Sequence, residues 1–301
     1  MSNPPSAAFD PVLLAKLAGL ELRACSIVDG WLAGRHRSPQ KGFSVEFAEH
    51  REYTPGDDPR SLDWKVYGKR DRYQVKQYEA ETNLACVVLL DVSESMTYRS
   101  QAAPWTKLDC ARTAAAALAY LVLRQNDAAG CVTFDSELRQ YVRPSGQGGQ
   151  WAAVLRVLET ACPESAGESS GGRPYAALHD AASRLPSRSV AAMFTDALGD
   201  TENLLTAIQR LRHARHEVIV FHVVDPAEEV FPFEGMVLFR GLESTGSEAL
   251  DSRPLRDVYR AEFADFTKQL STRSRALGAD YEMLRTDAPL DRTLSAFLSR
   301  R

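Results

Sequence analysis

The sequence predicts an α/β fold: a mostly parallel central sheet with helices on both faces, plus a small appended β-layer. Three observations carry this prediction. Almost wholly apolar runs of strand length recur at 84–90, 190–194 and 218–224, and continuous apolar runs mark strands buried on both faces. Residues 107–124 are rich in Ala and Leu and contain no Gly or Pro, which are the marks of a stable helix. Strand and helix patterns alternate from 84 to 298, the order that produces parallel crossover units.

The elements follow in order. Residues 1–33 form an N-terminal helical segment, with Leu13, Leu17, Leu20, Ile27, Val28 and Trp31 at helical spacing. Residues 34–80 break that period. An alternating Phe43, Val45, Phe47 run and the turn-forming Pro55-Gly56-Asp57 predict short strands and loops there. The main domain, 81–225, carries strands at 84–90, 130–134, 138–142, 190–194 and 218–224, with 138–142 an antiparallel edge strand. Its helices lie at 107–124, 150–160, 174–184 and 202–214. The stretch 226–252 interrupts the alternation. Phe231-Pro232-Phe233 and Met236 to Phe239 read as edge or hairpin strands of a β-insertion packing on 34–80 and pairing with strands near 40–55. The segment 253–301 completes the domain as helix (253–277), strand (281–284) and helix (290–298).

Composition narrows the function. Hydrophobic residues are 44% of the 301 and charged residues 25%, which is globular composition. Lys plus Arg number 36 against 40 Asp plus Glu, so an electrostatic nucleic-acid binder is disfavoured. Lys65, Lys69, Arg70, Arg72 and Lys76 do alternate with Tyr67, Tyr73 and Tyr78, but acidic residues among them favour a solvated face over an RNA surface. No apolar run reaches the roughly 18 residues of a membrane span. No basic stretch precedes an apolar one at the N-terminus, and the five Cys show no CxxC spacing. A cytoplasmic location is expected on these grounds. There is no P-loop, G-x-S-x-G elbow, GxGxxG or HExxH, so nucleotide hydrolysis, esterase and zinc-protease chemistry lack support.

Chemistry concentrates in Asp91-Val92-Ser93-Glu94-Ser95, directly after the first buried strand. Ligands of parallel sheets bind at the C-terminal ends of strands. One carboxylate and two hydroxyls at i, i+2 and i+4 can converge on one point, and hard oxygen donors of this kind suit Mg²⁺. A second carboxylate, Asp196, ends the strand at 190–194. The same residue types also form Asx turns and helix N-caps, so both readings stand at this stage.

The Asp91 to Ser95 loop resembles the DxSxS metal-ion-dependent adhesion motif of von Willebrand factor type A domains. The preceding segment is more specific. Arg51, Tyr53, Pro55, Gly56, Asp57, Asp58, Arg60, Asp63 and Trp64, followed by Lys76-Gln77-Tyr78-Glu79, are similar to the signature of the bacterial domain of unknown function 58 (DUF58). The resemblance implies a Rossmann-like von Willebrand factor A-type domain with the metal loop at the top of the sheet. It implies a divalent cation on Asp91, Ser93, Ser95 and Asp196, and a partnership with a MoxR-type AAA+ ATPase acting on client proteins. Many relatives carry N-terminal membrane helices, so this chain resembles the soluble form. One departure concerns a third loop, where such domains place a Thr after two glycines. Here Gly171-Gly172 precede Arg173, which cannot ligate a cation. Either Ser169 or Ser170 supplies the hydroxyl, or the Arg173 guanidinium substitutes for the metal.

The function expected is a non-enzymatic protein–protein interaction module. The alternative is a metal-dependent phosphoester hydrolase using Asp91 and Asp196, which would need more carboxylates at the strand ends. The dense charges of the signature loop read as an ion-pair clamp more readily than as a binding surface.

Overall fold

The computed structural model describes residues 15, 19–35, 50–52, 74–76, 84–163, 175–241 and 246–290. The chain divides into two compact units, residues 36–83 and the remainder. Within the smaller unit, β1 (His50–Glu52) pairs antiparallel with β2 (Gln74–Lys76).

The larger unit is built on six strands: β3 (Ala85–Asp91), β4 (Ala128–Phe134), β5 (Leu138–Ser145), β6 (Val190–Thr195), β7 (Glu217–Val224) and β10 (Asp280–Arg285). Their order is β10-β7-β6-β3-β4-β5. All neighbours are parallel except β4 and β5, so β5 is the antiparallel edge strand the sequence predicts. The fold is therefore α/β with a mostly parallel sheet. Successive side chains of β3 enter opposite cores. Val88 and Leu90 face α1 (Leu20–Arg35), α2 (Lys107–Arg124) and α3 (Gln150–Thr160). Val87 and Leu89 face α4 (Ala177–Arg184), α5 (Thr201–His213) and the C-terminal part of α7 (Ser252–Ala276). This is why the central strands are apolar at every position. Cys86, Cys110 and Cys131 are buried in this core, and burial pushes Cys131 up to about 12.

Local signals fix the ends of the elements. Thr106 caps α2 by accepting from the Asp109 amide at 3.0 Å. Asp200 caps α5 at 3.1 Å, and Arg210, Arg212 and His213 meet its C-terminal dipole. Gly130 is required by close approach: a Cβ there would lie 2.8 Å from the Pro144 ring and from the Val142 carbonyl oxygen, where β5 bulges over β4.

The insertion departs from expectation. Residues 226–230 form a short helix, α6 (Pro226–Val230), started by a capping box between Asp225 and Glu228. Phe231 ends it in the left-handed region at φ 51°. Phe231-Pro232-Phe233 is not a strand, because Pro232 has no amide to donate and Phe231 turns the chain. β8 (Met236–Arg240) pairs antiparallel with β9 (Ser247–Asp251) as a local hairpin, which closes a short loop. The segment near 40–55 expected to pair here lies outside the described residues, apart from 50–52. The helix expected at 290–298 lies beyond the described residues, except for buried Leu290. No helix among the described residues is long and apolar enough to cross a membrane.

Candidate functional site

β3 and β6 run parallel with Leu90 opposite Phe194, so their next residues, Asp91 and Thr195, leave the sheet side by side. Asp91 is buried. Its Oδ2 accepts from the Thr195 hydroxyl at 2.6 Å, and its Oδ1 accepts from the Ser93 amide at 3.0 Å. The second bond is an Asx turn that swings the chain off the strand into a 3₁₀ turn, Glu94–Thr97. The hydroxyls of Ser93 and Ser95 then lie 3.1 Å apart. Asp91, Ser93 and Ser95 are thus brought together as their spacing suggested.

Asp196 is buried one residue beyond Thr195. Its Oδ1 accepts from the Leu198 amide at 3.2 Å. Its Oδ2 accepts from Lys107 Nζ at 2.8 Å, and the same ammonium donates to Glu228 Oε1 of α6 at 2.7 Å. The Tyr98 ring stands 5.9 Å from that nitrogen. Behind the cluster, His222 Nε2 lies 3.0 Å from the Asp196 carbonyl and His222 Nδ1 lies 2.7 Å from the Tyr281 hydroxyl. Tyr175 donates to the Leu198 carbonyl at 3.0 Å, bracing the strand-end loop.

The electrostatics are unequal across the cluster. Burial, then the charge of Asp196, push Asp91 up to about 7 despite its hydrogen bonds to Thr195 and Ser93. Burial pushes Glu228 up as well, against the pull of Lys107. Burial lowers His222 to about 4, so its imidazole is neutral at neutral pH. Among the described residues, the ion pairs here run from Lys107 to Asp196 and Glu228, and none reaches Asp91.

This donor set fits a small hard divalent cation: one buried carboxylate with no positive partner among the described residues, beside two hydroxyls 3.1 Å apart. No group of three or more His, Cys, Asp or Glu able to hold a metal occurs among the described residues, so the carboxylate cluster a two-metal hydrolase needs is not found there. Ser169, Ser170 and Arg173 lie outside the described residues. So do Tyr53, Pro55, Gly56, Asp57, Asp58, Arg60, Asp63 and Trp64, and Arg51 is described only as the β1 residue opposite Val75.

Sequence reasoning missed Thr195 and Lys107. Thr195 is adjacent to Asp196 and needs only the β3–β6 pairing to reach Asp91. Lys107 carried a signal: a cation in the first turn of an alanine-rich helix opposes the helix dipole, and such a placement calls for an anion. Close by, Tyr98 and Glu228 also line an apolar cavity of about 510 Å³ with Phe231, Phe233, Phe239 and Tyr259.

Comparison with known proteins places the chain. It is 31% identical over 282 residues to Uncharacterized protein Rv1480 of Mycobacterium tuberculosis, covering 92% of this chain and 86% of that one. Among solved structures it is similar to conserved hypothetical protein BatB from Bacteroides thetaiotaomicron, with TM-score 0.47 and 16% identity over 72% of this chain and 98% of that one. It is also similar to the SpRpn10 VWA domain, with TM-score 0.39 and 12% identity over 71% and 95% of the two chains. The model of the family described as protein of unknown function DUF58 matches residues 49–272, and the chain belongs to that family.

Proposed function

We propose that this chain is a non-enzymatic interaction module whose contact point is a divalent cation, Mg²⁺ or a similar ion, held by Asp91, Ser93 and Ser95. The observation that carries this reading is Asp91 itself, a buried carboxyl raised to about 7 beside two hydroxyls 3.1 Å apart. Bound there, the cation would supply a positive charge with an open position for an acidic group of another protein. Exposed apolar side chains on β8 (Met236 and Leu238) and on α7 (Val258, which shares a cavity lining with Tyr98 and Glu228) support a protein partner, since exposed apolar surface marks interaction sites. The partner class is a MoxR-type AAA+ ATPase or its client, as the family resemblance implies. The hydrolase alternative is weaker because Asp196 is bound to Lys107, not free to hold a second metal or activate water.

Calorimetric titration of Mg²⁺ into the wild type and Asp91→Ala tests the cation site. Heat in the wild type and none in Asp91→Ala is the expected result. Binding of a purified MoxR-type ATPase, with and without EDTA, tests the partnership. Binding unaffected by EDTA and by Asp91→Ala would overturn the reading.

A further inference from the structure

Lys107 opens α2 and is fully buried. Its position opposes the helix dipole, and taking an ammonium out of water is costly unless it is well paired. Asp196 from the end of β6 and Glu228 from α6 satisfy it at 2.8 and 2.7 Å. Three elements far apart in sequence thus converge on one nitrogen. Burial draws its pKa down, but the two carboxylates outweigh burial and leave it above the ordinary lysine value. Lys107 is an internal cation held between two carboxylates.

We propose that Lys107 is a built-in counter-ion that sets the charge of the candidate cation site, an inference that rests on the metal reading above. The ammonium occupies Asp196 Oδ2, and the Leu198 amide occupies Oδ1. Asp91 is then the carboxylate left to balance a cation held with Ser93 and Ser95. A divalent ion balanced by one carboxylate keeps excess positive charge, and that excess favours an anionic group as the remaining ligand. With Asp196 free as well, two carboxylates would neutralise the ion and remove the preference. The class of partner group that follows is a carboxylate, an Asp or Glu side chain or a chain terminus. Lys107 is a positioning residue, acting on the cation through Asp196.

The test is calorimetric titration of Mg²⁺ alone into wild type, Lys107→Met and Lys107→Arg, each checked for folding by circular dichroism. Lys107→Met is expected to bind Mg²⁺ about tenfold more tightly than wild type, and Lys107→Arg, which keeps the charge, to stay within about threefold. No heat in the wild type with binding in Lys107→Met overturns the proposal, since the wild-type site then holds no cation whose charge Lys107 could set. Where Lys107→Met does not fold, Lys107→Met/Glu228→Gln removes one of the two stranded carboxylates and carries the same expectation. Equal Mg²⁺ affinity in wild type and the Met variants, or equal tightening in Lys107→Arg, overturns the counter-ion role and leaves the metal reading intact. No Mg²⁺ binding at millimolar concentration in any of these proteins overturns both.

Discussion

The Thr195 hydroxyl donates to Asp91 Oδ2 at 2.6 Å across the β3–β6 pair. Both side chains are buried, and Thr195 Oγ1 accepts in turn from the Ala197 amide at 3.0 Å. The hydroxyl therefore orients the Asp91 carboxylate from beneath. Thr195→Val should cost about 1–3 kcal/mol, because it leaves a buried carboxylate oxygen and an amide without their partner. Thr195→Ser should recover most of that loss. Urea denaturation of the three proteins measures it, and equal stability of Val and Thr would dismiss the role.

Asp91 gives stability a pH dependence of unusual sign. Its carboxyl is raised from 3.8 to about 7 in the folded chain, so between those values the folded state binds the proton that the unfolded state has released. The contribution is fully present below pH about 3.8 and is lost as pH rises through about 7. Asp91→Asn should therefore be the more stable protein at pH 8 in EDTA, by an amount of order a few kcal/mol. Mg²⁺ should narrow the gap. Chemical denaturation at pH 5 and pH 8 tests both statements.

His222 acts in the opposite direction. Burial lowers it from 6.5 to about 4, so its contribution is present above pH about 6.5 and is lost as pH falls through 4. The two groups oppose each other between pH 4 and 6.5, and the wild type should be nearly level there. Asp91→Asn should lose stability on acidification across that window. His222→Gln should gain it. Parallel pH profiles for the two variants would contradict the assignment.

Gly130→Ala should lower the melting temperature clearly. Its Cβ would meet the Pro144 ring and the Val142 carbonyl oxygen at 2.8 Å, and overpacking of this kind costs about 1–3 kcal/mol. Gly148→Ala, where a Cβ meets nothing within 4 Å, is the control. Thermal denaturation of the pair separates close approach from chain flexibility.

What was legible in the sequence follows from how local each signal is. The helix expected over 107–124 is found as Lys107–Arg124, and the strand expected over 190–194 as Val190–Thr195, because an apolar run or a helical period needs no distant partner to declare itself. The antiparallel edge at Leu138–Ser145 was legible from the short turn at Asp135-Ser136. The partner of Met236–Arg240 was not, since Ser247–Asp251 lacks the apolar alternation that marks a strand. Asp91, Ser93 and Ser95 could be placed on one loop by spacing alone. The neighbourhood of Asp91 and Asp196 depends on strand order, which spacing does not encode. The position of Lys107 against its helix dipole was legible, but its two anions were not: they arrive from the end of β6 and from α6, 89 and 121 residues away.

The alanines of α2 bear on that lysine. Ala111, Ala114, Ala115, Ala116, Ala117 and Ala119 are all at most 1% exposed, wedged between the sheet and the helices α1 and α3. Methyl side chains let the helix backbone lie close to its neighbours, and close-packed interiors transmit strain instead of absorbing it. The helix behaves as a stiff shaft seated in a tight bearing, with Lys107 at its tip. A bulkier side chain seated midway along that shaft would displace the tip and pull the ammonium from its two anions. Mechanically, the ionic balance at the strand ends is adjustable from a remote, entirely apolar part of the molecule.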